Sequence, residues 1–191
     1  KKDVAKAYPA EVRRLRDFYQ GWWEEIEPTF NNATAIYIGH PKENPARLTS
    51  HDWITTGSTP WNQGHIRKGV DEERSTGFWN VKVHAAGTFE IHLRRWPKET
   101  NQTINSGMKP GAPVPGARAF RETPGRKFGT LNTAHVEIFG KQYHNNFEHD
   151  DVEAFFRVKL PAGKTKLTAS FTGPNGLKVG AFYAYINRID D

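Results

Sequence analysis

The chain opens on an apolar repeat close to 3.6 residues and then changes to a repeat of two. Val12, Leu15, Phe18, Tyr19, Trp22, Trp23 and Ile26 recur at helical spacing, while Arg13, Arg14, Asp17 and Glu24 hold the other face. Pro9 suits a first helical turn, where its missing N–H costs nothing, and Pro28 stops the helix. Gly21 inside this stretch costs about 1 kcal/mol relative to Ala. The stripe is wide and aromatic, so it has to pack on a following or a preceding domain.

From Thr34 onward the period is two. Ala35-Ile36-Tyr37-Ile38 predicts a short strand, and Ala46 to Trp53 predicts another. Phe78 to Val83 alternates, Ala85-Ala86-Gly87 reads as a turn, and Thr88 to Trp96 alternates again, which predicts a hairpin. Phe89, Ile91 and Leu93 share one face of it; Glu90, His92 and Arg94 share the other. The device returns at Phe156–Leu160, Pro161-Ala162-Gly163 and Thr165–Phe171. Ala134–Phe139 and Gly180–Ile189 complete a set of eight to ten strands, with no second helix. The expected fold is mainly β: a β-sandwich or jelly roll preceded by one N-terminal helix. The expected domains are a helical segment over 1–33 and a β-sandwich over 34–191. Asn44–Asn62 and the Gly- and Pro-rich Lys98–Gly129 read as loops, and loops of that length carry function disproportionately.

Composition narrows the function classes. Aromatic residues make up 13% of 191 residues, so the core is aromatic and disorder is excluded. There is no cysteine, which removes disulfides, Cys-ligated metals and thiol nucleophiles. The net charge of +6 favours polyanions, but the basic residues are scattered and form no nucleic-acid module. No apolar run approaches the roughly 18 residues of a membrane span. The opening Lys1-Lys2-Asp3 lacks a Met, so the chain reads as a fragment of a longer protein.

The candidate chemistry concentrates between Gly39 and Arg67, where His, Asp, Trp, Asn and Arg crowd a loop. Trp53, Trp61 and Trp96 are candidate stacking surfaces for a sugar ring. His65 and Arg67, with Arg94 as an alternative cation, are candidates to meet hydroxyls or a sulfate. The same residues also read as a loop pinned by its own side chains, with Trp53 and Trp61 buried. Ser50-His51-Asp52 holds the residue types of a triad, but neighbours on a strand face opposite ways and cannot align. His149-Asp150-Asp151 reads as a solvated turn. No catalytic residue, metal site or cofactor is expected.

Several segments resemble the C-terminal region of bacterial sulfatases of the arylsulfatase type. They are Arg13-Arg14-Leu15-Arg16-Asp17-Phe18-Tyr19 with Trp22-Trp23-Glu24, the run from Ile38 to Thr49 with His51-Asp52-Trp53, and Thr59-Pro60-Trp61-Asn62-Gln63. Gly77-Phe78-Trp79, Ile91 to Pro97 and Gly180-Ala181-Phe182-Tyr183 continue the pattern. The resemblance implies that 1–33 is the end of an upstream catalytic domain and that 34–191 is a non-catalytic accessory domain. Its partners would be an upstream sulfatase catalytic domain and a sulfated polysaccharide, in the periplasm or outside the cell. The formylglycine motif of that family is not in this chain, so none of its catalytic residues can be placed here. Separately, Ala85-Ala86-Gly87-Thr88-Phe89 and Pro161-Ala162-Gly163-Lys164-Thr165 look like turns of galactose-binding-like jelly rolls. That resemblance implies an alternative: an autonomous carbohydrate-binding module with a Trp/Arg sugar site.

Overall fold

The computed structural model describes residues 3–57, 59–69, 76–113, 115 and 123–189. Lys1 and Lys2, and parts of the two expected loops (58, 114 and 116–122), lie outside the described residues. The chain divides into two compact units, Lys1–Thr34 and Ala35–Asp191.

The first unit is a helix, α1 (Pro9–Ile26), closed by a 3-10 turn over Glu27–Thr29 that contains Pro28. The apolar stripe forms as its spacing dictates, and neighbouring rings meet along it. Tyr19 stacks on Trp23 at 6.0 Å, and Trp23 meets Phe30 edge-on at 5.2 Å. No residue of α1 is buried, and Phe18 is 74% exposed.

The second unit is a jelly-roll β-sandwich. Its described strands are β1 (Ile36–Ile38), β2 (Ala46–Thr49), β3 (Phe78–Val83), β4 (Gly87–Arg94), β5 (Thr133–Ile138), β6 (Lys141–Asn146), β7 (Ala154–Leu160), β8 (Gly163–Thr172), β9 (Lys178–Gly180) and β10 (Tyr183–Ile189). One sheet runs β1-β3-β8-β5-β6, with β9 also paired to β8; the other runs β2-β10-β4-β7. The β1–β3 pair is parallel and the remaining ladders are antiparallel. Alternation sets the burial: β7 reads buried, exposed, buried along its whole length. Trp79, Phe89, Phe171 and Phe182 fill the space between the sheets. Trp79 also satisfies its indole N–H there, donating to the Thr49 carbonyl at 2.6 Å.

Several sequence expectations change. The two Ala-Gly turns are not hairpins. β3 lies in one sheet and β4 in the other; the same holds for β7 and β8. Val83 pairs with Gly163 while Gly87 pairs with Leu160, so both turns step across the sandwich side by side. Alternation reports which face is buried, whereas strand partners are set by packing between distant segments.

The hairpin that does form nearby, β5–β6, was not expected as one. Its turn is Phe139-Gly140, with φ of 51° and 68°. Both values are positive, as a type I′ turn requires. β6 is an exposed edge strand, Lys-Gln-Tyr-His-Asn-Asn, with no apolar alternation to betray it.

A second helix is also present, α2 (Gln63–Lys68). Its signals were local capping ones. The Asn62 side chain accepts from the His65 N–H at 3.0 Å, and Gly69 ends the helix at φ 72°. Finally, β2 stops at Thr49, and Ser50–Asp52 is a 3-10 turn in place of the expected strand.

Candidate functional site

A cleft of about 440 Å³ opens at one end of the four-stranded sheet. There β2 and β4 end and β10 begins, with Tyr183 opposite both Thr49 and Arg94. Thr49, Ser50 and His51 form one wall. The segment Pro60-Trp61-Asn62-Gln63 and α2, through Ile66 and Arg67, form a second. Trp96, Pro97, Thr100, Met108 and Tyr183 close the rest.

Backbone-directed contacts hold these pieces. His51 donates from Nε2 to the Trp61 carbonyl at 2.6 Å, which ties the second wall to the first. Trp61 stands on the rim, 59% exposed, with the His65 ring edge-on at 5.6 Å. Trp96 is buried and donates from its indole nitrogen to the Ser106 carbonyl at 3.1 Å.

Two buried arginines hold the loop that follows β4. Arg67 donates to the Lys109 and Thr123 carbonyls at 3.0 and 3.2 Å, and burial pulls its pKa below the ordinary guanidinium value. Arg95 is fully buried and donates to the carbonyls of Ile104, Ser106 and Arg126 at 3.3, 2.9 and 2.6 Å. Its guanidinium lies 4.4 Å from both the Trp96 and the Phe128 ring centres. Burial, with the Arg126 charge adding to it, pulls Arg95 down to about 9. Carbonyl dipoles and ring faces compensate the charge where a carboxylate would otherwise be needed.

The cleft therefore offers neutral polar groups. Among the described residues neither the Gln63 amide nor the Tyr183 hydroxyl has a hydrogen-bond partner. Burial holds the Tyr183 phenol above its ordinary pKa, so it stays a neutral donor and acceptor. An exposed indole beside uncommitted amide and hydroxyl groups can cover an apolar ring face and hydrogen-bond its edge.

The five residues singled out from sequence take different places. Trp61, Arg67 and Trp96 all line the cleft. His65 sits on α2 against the Trp61 ring. Trp53 does not line it: Trp53 is 4% exposed and packs at 5.5 Å on both Trp79 and Phe182. Arg67 is no free cation, because carbonyls occupy its guanidinium. Arg94, the alternative, is 3% exposed and paired with Glu153 at 3.1 Å. Arg94, Arg95 and Trp96 are all buried, where strand alternation implied a split between core and surface. Tyr183 and Gln63 were missed, since nothing in their local sequence distinguishes them.

Ser50, His51 and Asp52 form no triad, for a reason other than strand alternation. His51 donates to a carbonyl, Asp52 accepts from the Thr49 hydroxyl at 3.2 Å, and Ser50 is buried. No group of three metal-ligating side chains occurs among the described residues. No helix among them is long and apolar enough to cross a membrane.

No family model matches the sequence, and no curated protein matches it significantly. Solved structures give weak likenesses. A ruminal GH26 endo-β-1,4-mannanase is 12% identical, with a TM-score of 0.40 over 77% of this chain. A Podospora anserina GH26-CBM35 β-(1,4)-mannanase is 10% identical, with 0.42 over 78%. This chain spans 26% and 28% of those two chains. A carbohydrate binding module of Cellvibrio mixtus lichenase 5A, in complex with cellotriose, is 11% identical with a TM-score of 0.39; the match covers 77% of this chain and 99% of that one. At these identities and scores the likenesses assign this chain no ligand.

Proposed function

We propose that this chain is a non-catalytic carbohydrate-binding module whose site is the cleft at the end of the four-stranded sheet. The observation that carries the reading is Trp61. It is a large exposed indole on the rim of a cleft whose walls hold an uncommitted amide, Gln63, and an uncommitted hydroxyl, Tyr183. Trp61 covers the apolar face of a sugar ring, and Gln63 and Tyr183 meet its hydroxyls. Trp96 and Ile66 form apolar wall, while Arg67 and His51 fix the loops. Because no described lining residue of the cleft carries an uncommitted charge, neutral sugars are its ligands in preference to sulfated ones. Such a module works outside the cytoplasm, in the periplasm or secreted, as part of a longer protein.

Affinity electrophoresis and calorimetry against cellotriose, mannotriose and galactotriose test this. One neutral trisaccharide binds, and Trp61→Ala weakens it by about tenfold, or about 1.4 kcal/mol, without changing the unfolding midpoint. Binding that is unchanged in Trp61→Ala, or no binding to any neutral sugar, removes the reading.

A second reading concerns the parent. Within its own unit α1 carries a wide aromatic face, which favours a role packed against another domain, and the sequence resemblance points to a sulfatase as the parent. The upstream reading frame tests it: a Cys/Ser-x-Pro/Ala-x-Arg motif supports a sulfatase parent, and a frame without one rules it out.

A further inference from the structure

A second group of side chains, away from the cleft, has no role in the fold or in the cleft. It lies on the outer face of the six-stranded sheet at the β1–β3 edge. Tyr37, Lys82 and Lys164 occupy one cross-strand row, Tyr37 opposite Lys82 and Lys82 opposite Lys164. Two ammonium groups directly opposite each other on neighbouring strands repel. Among the described residues no carboxylate pairs with either lysine. Lys82 donates to the Tyr37 hydroxyl at 3.0 Å and lies 4.9 Å from the centre of the same ring. That hydrogen bond, reinforced by the charges of Lys82 and Lys164, holds the Tyr37 phenol below its ordinary pKa. Tyr37 is 45% exposed.

Two imidazoles flank the row. His40 and His84 meet at 4.4 Å, and both lie beside the Tyr37 ring at 6.3 and 6.5 Å. His40 Nδ1 accepts the Lys42 backbone N–H at 3.1 Å, which puts the proton of a neutral ring on Nε2 and leaves that nitrogen a donor. Tyr37, His40, Lys82 and His84 line a hollow whose other described lining residues are Lys42 and a single carboxylate, Glu43; Lys164 is not among them. Donors and cations outnumber acceptors around an exposed aromatic ring.

We propose that this face is a second binding site, one for the oxyanion of an acidic saccharide. A sulfate ester or carboxylate sits between Lys82 and the His40 Nε2–H, with the Lys164 charge adding to its attraction, and the sugar bearing it packs on the Tyr37 ring. The anion relieves the repulsion within the row, and the fixed edge strand supplies the geometry. A single exposed ring favours a saccharide over single-stranded nucleic acid, which needs successive stacking rings along a basic groove. The proposal rests on the saccharide reading of the cleft for its ligand class, but it assigns acidic units to this face and neutral units to the cleft.

An NMR titration of the full chain with a heparin hexasaccharide, its desulfated form and the oligonucleotide dT6 tests it. The sulfated hexasaccharide shifts the Tyr37, His40 and His84 ring signals at about 0.15 M salt. Lys82→Gln weakens binding roughly twofold to fivefold, and Lys82→Gln with Lys164→Gln roughly tenfold. Trp61→Ala leaves it unchanged. If the desulfated form still shifts these rings, carboxylates suffice; if it does not, the sulfate ester is the recognised group. Four results overturn the proposal: shifts spread over all basic positions, binding indifferent to Lys82→Gln, dT6 bound as tightly on Tyr37, or binding lost in Trp61→Ala. The last of these leaves the cleft intact as the saccharide site. Loss of neutral-sugar binding with these shifts retained does the reverse.

Discussion

The interior of the sandwich and its loop end are both buried, yet opposite chemistry holds them. Between the sheets, Trp79, Phe89, Phe171 and Phe182 exclude water by filling space, and the backbone is satisfied by the ladders. At the loop end, Arg67 and Arg95 sit at 7% and 0% exposure with five hydrogen bonds to main-chain carbonyls between them. Sheet backbone finds its partners in other strands, but irregular backbone has no continuous ladder, so the carbonyls left over there take a side-chain donor. Arg is suited to this, because its planar fork reaches several acceptors and its flat face lies against aromatic rings. A buried arginine at such a site is architecture, even where the sequence makes it look like a ligand for an anion.

The largest effect comes from treating a core tryptophan as though it belonged to the cleft. Trp53→Ala leaves a cavity against Trp79 and Phe182 and costs about 3–5 kcal/mol, measured by urea unfolding. Trp61→Ala, at an exposed ring, leaves the midpoint where it was. Equal losses in the two variants would dissolve the distinction between interior and rim.

Arg95→Ala comes next, at about 2–4 kcal/mol, since the carbonyls of Ile104 and Arg126 lose their side-chain donor and that of Ser106 keeps only the Trp96 indole. Lysine at position 95 does not restore it, because one ammonium cannot reach three carbonyls and stack between two rings. Hydrogen exchange sharpens the point. The Arg126 and Phe128 amides, bonded to the Arg67 and Asn105 carbonyls, lose protection in the alanine variant, while β4 and β10 amides keep theirs. Uniform loss across both regions would mean that the loop end and the sheets form one cooperative unit.

The smallest effect is a pH dependence confined to the six-stranded sheet. Burial, then the charges of His144 and Lys178, lowers the His135 pKa below 6.5, and its Nε2 lies 2.8 Å from the Thr172 hydroxyl. The unfolded chain therefore binds this proton more readily than the folded one. The stability linked to His135 is complete above about pH 6.5 and falls as pH drops through the lowered folded value. Urea midpoints at pH 7.5 and 5.0 measure the fall, and His135→Gln makes it shallower. An identical fall in the variant assigns it to other groups.

The sequence carried the helix and most strands, because each leaves a local trace. Apolar spacing of 3.6 marked α1 to within its prolines, alternation marked β3, β4, β7 and β8, and Phe89, Ile91 and Leu93 do share a buried face of β4, although Arg94 is buried as well. It did not mark β6, which is polar on both faces and exists because Phe139-Gly140 folds it back onto β5. Nor did it show that the two Ala-Gly turns cross between sheets, since a turn of either kind has the same local chemistry. At the cleft, Trp61 and Arg67 come from the stretch between Gly39 and Arg67 in which Trp, His and Arg cluster.

What the sequence determined by itself was the set of elements and the face each would bury, because both follow from side-chain period and turn residues within a few positions. What only the tertiary structure decided was which aromatics and arginines are consumed by the fold. Trp53 and Trp61 are eight positions apart in a similar setting, yet one meets Trp79 and Phe182 while the other meets solvent. Arg67 and Lys82 are both cations beside aromatic-rich segments, yet carbonyls occupy the first, while the second faces another lysine and, among the described residues, pairs with no carboxylate. Those outcomes depend on partners dozens of residues away, and a local pattern has no access to them.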